Sequence, residues 1–443
     1  MRLSAPLLHA GAALALGRAA IRLYSPSVGF WTALLYAAIP GVQLSSVVVS
    51  TDAPLLLCLA LAVWAYAVIW TSDDARQRRW AAWGLGAALG AAFLTKYAAL
   101  YIAGGLILCS ALSADARRRW DGPTLRRTVV MAAIVAAPNL VWNATHHFQT
   151  IAHTAENADL GNGDRGWRGL FGARGPFGYI IGQFVVFGPI PFGVLLVGAW
   201  RAWRRDPHPT DRMLLALAAP ALLIVFVESI ISRANANWAG AGYAPGVILV
   251  AAWIDRWQFV RGRTAALATQ TAFALIFVVA VLNPGLTDRL GAGSAFKRAR
   301  GWAAAAAAVQ DQARNGEVGP GLTAVAADDR FLFNALAYYG RSPDGTPAGA
   351  FPAPLRMWVH LDRPANQAET ESPLDASHGS RALVVSVNTD YQSVLKSDFN
   401  GLKPAGRIFV KLTPRQERRL DLFVGEGFSP RPRALVSDLP RAH

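Results

Sequence analysis

The chain has 443 residues, of which 53% are hydrophobic and 16% charged, and its formal net charge is +15. The apolar residues form long blocks instead of short alternations, which excludes a soluble globular protein and indicates helices that cross a membrane. The arginines lie in short loops between these blocks, where membrane topology explains them, so the charge does not indicate a nucleic-acid partner. Cys58 and Cys109 fall inside apolar blocks and are expected to be small buried side chains.

Ten apolar blocks occupy the first two thirds of the chain. Their approximate bounds are 3–23, 29–49, 53–70, 81–94, 97–113, 128–143, 177–200, 213–231, 240–254 and 265–283. Each block is expected to be a membrane span. The sequence therefore predicts a mainly α-helical membrane bundle over 1–285.

From about residue 286 the apolar runs shorten, and Gly, Pro and Asp become frequent. This change predicts a smaller soluble α/β domain over 286–443. Within it we expect helices at 301–314 and 330–339, and buried strands at 322–326 and 382–387.

The loops between the blocks form two alternating sets that differ in positive charge. One set holds 15 Lys and Arg residues and the other holds 5. Because cytoplasmic loops carry the excess of Lys and Arg, the first set is predicted inside, with the C-terminal domain outside the cytoplasm. The outer set brings Asp52, Lys96, the loop 144–176 and the segment 233–238 to one face. It also puts the amino terminus outside, so we expect an upstream span and its outer loop to be missing from this sequence.

Two charged residues stand at the predicted outer ends of spans. In the segment Thr51-Asp52-Ala53-Pro54, either Thr51 or Asp52 is expected to cap the helix that follows. The carboxylate of Asp52 would still have lone pairs with which to bind a metal ion or orient an acceptor. Lys96 is the sole charge between residues 80 and 114. It either extends to the membrane interface or holds the phosphate of a lipid.

A polar segment follows the sixth apolar block. Pro138 and Asn139 lie in the last turns of that block, where they are expected to break or kink the helix, and Trp142 is placed as an interface anchor. A cluster of polar residues comes next, and it consists of His146, His147, His153, Glu156, Asn157 and Asp159. The cluster has no diagnostic metal-ligand spacing, so a metal site and a polar outer loop both stay open.

Other polar residues lie within or beside the apolar blocks. Glu228, near the outer end of its span, is either functional or the partner of Arg233. The segment Asn237-Trp238 follows between two spans. His9 and Gln183 lie inside apolar blocks, where such residues usually pack or form hydrogen bonds.

Four motifs, in their order and spacing, resemble the bacterial family 39 glycosyltransferases of the protein mannosyltransferase superfamily. They are Thr51-Asp52-Ala53-Pro54, Leu94-Thr95-Lys96, Pro138-Asn139-Leu140-Val141-Trp142-Asn143 with His146 shortly after, and Asn237-Trp238 with Tyr243-Ala244-Pro245. The family is similar to lipid A aminoarabinose transferase and to protein O-mannosyltransferases. These enzymes share the GT-C fold, a bundle of membrane helices with the active site in a cavity at the outer leaflet.

The resemblance implies an inverting glycosyltransferase of the bacterial inner membrane. It would move a hexose or pentose from a polyprenyl-phosphate donor to a lipid, glycan or protein of the cell envelope, at the outer face. The implied catalytic residues are Asp52 and His146, and the implied substrate-binding residues are Lys96, Asn139, Trp142, His153, Asn237 and Trp238. A divalent metal ion is left open as a cofactor, with Asp52 as a candidate ligand.

In this family the main catalytic acid lies in a first outer loop, which would precede the start of this sequence. A catalytically inactive membrane scaffold therefore stays open, and a transporter or flippase of lipid-linked sugars is the other alternative. Many transporters show inverted repeats and broken helices, and neither is evident in the sequence.

Overall fold

The computed structural model describes residues 3–146, 148, 150, 175–205, 208–232, 234–291, 293–361, 364, 366–387 and 391–432. The chain divides into two compact units, Met1–Val279 and Ala280–His443. This division falls close to the boundary expected at residue 285, and the functions assigned to the two domains remain predictions.

The first unit is built of α-helices, and each of the ten apolar blocks overlaps at least one of them. The helices are α1 (Ser4–Leu23), α2 (Pro26–Ala38), α3 (Pro40–Val47), α4 (Asp52–Thr71), α5 (Ala75–Thr95), α6 (Ala99–Leu112), α7 (Ala114–Arg119), α8 (Gly122–Thr145), α9 (Pro176–Val186), α10 (Pro189–Arg204), α11 (Pro209–Ile231), α12 (Tyr243–Arg256) and α13 (Val260–Leu282). A 3₁₀-helix, here called the 236–242 turn, covers Ala236–Gly242. The mainly α-helical fold predicted from the sequence is confirmed.

Among the described residues, four helices are long and apolar enough to cross a membrane: α4, α8, α11 and α13. Two bent pairs, α2 with α3 at 56° and α9 with α10 at 116°, raise the number to six if each pair is one span. The other apolar blocks also form helices, but α6 and α12 have 14 residues each and α5 begins with three arginines in its first turns. The described helices that meet this criterion are thus fewer than the ten apolar blocks.

Small residues allow α5 and α8 to pack closely. A Cβ atom on Gly86 would lie 2.3 Å from the carbonyl oxygen of Thr128, and one on Gly90 would lie 2.8 Å from that of Ala132. Because the contacts advance together along both helices, α5 and α8 are parallel and their first turns lie at the same end of the bundle. The start of α4 meets the end of α5, where Lys96 follows.

The second unit is an α/β domain around a five-stranded sheet of order β2-β1-β3-β5-β4. Strands β1 (Ala324–Ala327), β2 (Leu355–Met357) and β3 (Arg381–Ser386) are parallel, and β4 (Phe399–Thr413) and β5 (Gln416–Phe428) are antiparallel neighbours. The helices are α14 (Pro284–Arg289), α15 (Trp302–Arg314), α16 (Arg330–Tyr339), α17 (Gln367–Glu371) and α18 (Gln392–Ser397). The two predicted helices and two predicted strands are confirmed. The long β4–β5 hairpin and the short β2 were not predicted.

Candidate active site

A cavity in the first unit is lined by segments that lie far apart in the sequence. The lining residues are Gly41, Val42, Ser45, Asp52, Leu55, Leu56, Lys96, Ala98, Val186, Asn237, Trp238, Gly240, Ala241 and Tyr243. Four of the predicted site residues therefore lie together: Asp52, Lys96, Asn237 and Trp238. The space in this cavity that a water molecule can reach is about 50 Å³.

Asp52 and Lys96 form an ion pair at the cavity, with Lys96 Nζ 3.0 Å from Asp52 Oδ1. The side chains are 32% and 37% exposed, and an ion pair so open to solvent adds at most about 1 kcal/mol of stability. The expectation of a helix cap is wrong. Helix α4 begins at Asp52 itself, Thr51 makes no side-chain cap, and the carboxylate faces the ammonium instead of the helix N–H groups. The pair is thus better explained by the two charged groups that it places at the cavity than by the stability it adds.

The buried Gln183 holds the 236–242 turn, which carries Asn237 and Trp238. Its Nε2 donates to the carbonyl oxygen of Ala236 at 3.0 Å, and the hydroxyl of Tyr243 donates to its Oε1. The neighbouring residue must be small, because a Cβ atom on Gly182 would lie 2.5 Å from the Cβ of Ala236. Gln183 is therefore hydrogen-bonded, as expected from its apolar surroundings, and it positions the turn.

His9 is also hydrogen-bonded, as the sequence predicted. Its Nδ1 lies 3.2 Å from the hydroxyl of Tyr36, and both side chains are buried. This contact joins α1 to α2 within the apolar core of the bundle.

Tyr97, next to Lys96, ties the end of α8 to the turn that carries the ammonium. Its hydroxyl donates to Asn139 Oδ1 at 3.1 Å, and Asn143 Nδ2 donates to the Tyr97 hydroxyl at 3.3 Å and to Asn139 Oδ1 at 3.1 Å. Asn143 is only 2% exposed. Asn139 thus contacts Tyr97, the neighbour of Lys96, and does not line the cavity, and Tyr97 was not predicted as its partner. The available signal was the pair of asparagines four residues apart, which share one helix face.

Helix α8 continues through Pro138 to Thr145, so the expected break at Pro138 and Asn139 does not occur, and a kink there stays a prediction. A proline inside a membrane helix is tolerated where neighbouring groups satisfy the freed backbone. The unbroken helix keeps Asn139 and Asn143 in register with Tyr97.

Trp142 and His146 stack on each other at the exposed end of α8 rather than in the cavity. Their ring centroids are 4.3 Å apart with an angle of 9°, and His146 Nδ1 lies 2.8 Å from the carbonyl oxygen of Trp142. Neither residue lines the cavity that contains Asp52. The roles predicted for them are therefore not supported by contact with that cavity, and they remain predictions.

Part of the predicted polar cluster lies outside the described residues, namely His147, His153, Glu156, Asn157 and Asp159. The same holds for Arg233, the expected partner of Glu228. Within the described ranges, no three His, Cys, Asp or Glu side chains form a group that could hold a metal ion. The metal requirement thus stays a prediction.

Residues 1–142 match the family described as dolichyl-phosphate-mannose-protein mannosyltransferase. A curated relative, lipid A galacturonosyltransferase RgtD of Rhizobium johnstonii, is 33% identical over 362 residues, which cover 78% of this chain and 72% of the relative. The fold is similar to that of ArnT from Cupriavidus metallidurans in the apo state (TM-score 0.60) and bound to undecaprenyl phosphate (TM-score 0.56). Both alignments cover 98% of this chain, with 84% and 85% of ArnT, at 15% identity.

Proposed function

Because the chain belongs to the GT-C membrane glycosyltransferases, we propose that it moves a sugar from a polyprenyl-phosphate donor to a cell-envelope acceptor at the outer face of the inner membrane. The observation that carries the proposal is the Asp52–Lys96 pair, which lines one cavity with Asn237 and Trp238. The ArnT structure with undecaprenyl phosphate supports the class of donor. The name of the 33% identical relative makes a galacturonosyl group and lipid A the first sugar and acceptor to test.

Lys96 supplies the positive charge that the leaving group requires. The ammonium has three N–H donors, and in the structure one faces Asp52, so the others are available to a lipid phosphate. As the bond between the anomeric carbon and the phosphate oxygen breaks, negative charge grows on that oxygen. A cation placed beforehand at this position lowers the barrier.

Asp52 acts on the acceptor as a general base. The acceptor hydroxyl oxygen attacks the anomeric carbon from the side opposite the phosphate, its proton passes to the Asp52 carboxylate, and the electron pair of the broken bond leaves with the phosphate. Attack from the opposite side inverts the configuration at that carbon. Trp238 gives the sugar an apolar wall, and the amide of Asn237 can hydrogen-bond a sugar hydroxyl.

A divalent cation is an additional part of the proposal. Asp52 is the one carboxylate among the described residues that line the cavity, and one carboxylate together with a substrate phosphate can hold Mg²⁺. When bound, the cation would share with Lys96 the neutralisation of the phosphate. Removal of the metal with a chelator, followed by addition of Mg²⁺, tests this role: transfer that is lost and then restored supports it, and transfer that withstands the chelator refutes it.

The main experiment uses a deletion strain that carries the gene for the wild type or a variant, with lipid A and lipid-linked sugars measured by mass spectrometry. We expect Asp52→Asn and Lys96→Gln each to reduce transfer by about 100-fold or more, with donor accumulating and protein level unchanged. Asp74→Asn is the matched control, because Asp74 caps the opposite end of α5 and does not line the cavity. Unchanged transfer by Asp52→Asn would refute the role of that residue.

A second measurement separates a transferase from a flippase. Purified protein in detergent is mixed with donor and acceptor, so that no bilayer has to be crossed. A transferase forms product under these conditions, whereas a flippase or an inactive scaffold does not.

A further inference from the structure

A second, strongly basic cavity lies where α5 and α8 begin. It has a volume of about 610 Å³ and is lined by Ala75, Arg76, Arg78, Arg79, Trp80, Asp121, Pro123, Thr124 and Arg127. The cavity is at the opposite end of α5 from Lys96. Since α5 has 21 residues, the two sites are separated by about 30 Å along this helix.

The charges of this cavity are not balanced within the protein. Four arginines and one aspartate, Asp121, line the cavity. Arg78 NH2 already forms an ion pair with Asp121 Oδ2 at 2.9 Å. Hydrogen bonds from Thr124, together with Arg78, keep the pKa of Asp121 below its usual range. Asp121 therefore stays ionised and offsets only one of the four positive charges. Within the part of the chain that the structure describes, Arg79 and Arg127 have no carboxylate at ion-pair distance. The cavity is therefore suited to an anion.

The surroundings of the cavity are those of a membrane interface. Only 17% of the apolar stretch of α8 is buried against protein. Leu125 and Val129 lie in the first two turns of α8, beside the cavity, and are 49% and 56% exposed. Trp80 lines the cavity and is 65% exposed, which is typical of an indole anchored at the level of lipid headgroups. The acyl chains of a lipid could follow this face of α8 while its headgroup occupies the cavity.

We propose that this cavity binds the headgroup of an anionic phospholipid, with Arg79 and Arg127 on the phosphate and Trp80 at the glycerol level. Basic pockets between membrane helices at the cytoplasmic surface bind such headgroups, and the surplus of arginine predicts this end of the bundle to be cytoplasmic. The site does not depend on the proposed transferase activity, because it is formed by the other end of the bundle.

The test measures lipid binding to the full chain in detergent by native mass spectrometry, with phosphatidylglycerol and phosphatidylcholine as probes. The wild type is expected to retain phosphatidylglycerol in preference to phosphatidylcholine. Each arginine at a membrane surface contributes about a fivefold factor in affinity, so Arg79→Gln/Arg127→Gln should bind phosphatidylglycerol about 30-fold more weakly. The matched control is Arg126→Gln/Arg205→Gln, which removes the same charge from residues that do not line the cavity.

Three outcomes would overturn the proposal. The first is equal binding of both lipids by the wild type, a result that does not depend on how the variants fold. The second is a control variant that loses as much affinity as Arg79→Gln/Arg127→Gln. The third is an equal rise in the melting temperature of the protein with inorganic phosphate and with phosphatidylglycerol at the same concentration. The cavity would then bind free phosphate and not a lipid.

Discussion

The contact between Gly182 and the 236–242 turn gives a sharp test of the proposed site. In Gly182→Ala the new methyl group would lie 2.5 Å from the Cβ of Ala236, where ordinary contacts are 3.4–4 Å. The turn that carries Asn237 and Trp238 must therefore move by about 1 Å. A displacement of this size at a reacting centre costs about 100-fold in rate, while the overpacking itself destabilises the fold by about 1–3 kcal/mol.

The assay compares sugar transfer with protein level and melting temperature in three variants. Gly182→Ala should lose transfer. Gly193→Ala should keep it, because a Cβ atom on Gly193 meets nothing within 4 Å. The double variant Gly182→Ala/Ala236→Gly should regain transfer, because the clashing methyl group of Ala236 is gone. Full transfer by Gly182→Ala would show that the position of the turn does not matter. A double variant as inactive as the single one would show that the clash with Ala236 is not the cause.

Three further predictions concern stability, measured by thermal unfolding in detergent. Tyr97→Phe removes a hydroxyl shared by two asparagines of α8 and should cost about 1–2 kcal/mol, with a loss of transfer because the turn at Lys96 loosens. Asp211→Ala removes a buried carboxylate that binds Arg256 at 2.6 Å and should cost about 3 kcal/mol. Burial alone raises the pKa of Asp421, but hydrogen bonds led by that of Arg419 lower it below its usual range. Ionised Asp421 therefore stabilises the second unit at pH values above the usual pKa of an aspartate. This stabilisation fades as the pH falls through the lowered pKa of Asp421, and it should be absent in Asp421→Asn.

The sequence predicted which residues meet at the cavity because membrane topology limits where loops can lie. Apolar blocks of span length and alternating loop charge put Asp52, Lys96 and the segment 233–238 on one face, and the structure brings the first two together with Asn237 and Trp238. Topology limited the candidates to this face, and the family resemblance singled out Asn237 and Trp238 among them. The resemblance also named Trp142 and His146, which do not line the cavity.

Side-chain direction could not be read in the same way. Trp142 and Asn143 are adjacent in sequence, but one residue turns a helix by about 100°, so Asn143 is buried against Tyr97 while Trp142 is 43% exposed. The motif that contains both residues does not reveal which of them faces inward. The β4–β5 hairpin was missed for a different reason, since charged, polar and glycine residues interrupt the apolar runs of both strands, which lack the continuous apolar run of a buried strand.

The contact between Asp52 and Lys96 links donor binding to acceptor activation in the proposed reaction. While the cavity is without donor, each charge is the other's partner at 3.0 Å, which keeps the site neutral at little gain in stability. A donor phosphate that draws the ammonium toward itself separates Lys96 from Asp52, so the carboxylate oxygens become available to the acceptor hydroxyl when a sugar is in place. When Lys96 binds the donor phosphate it therefore also frees Asp52 to act on the acceptor hydroxyl. The loss of either residue impairs both steps.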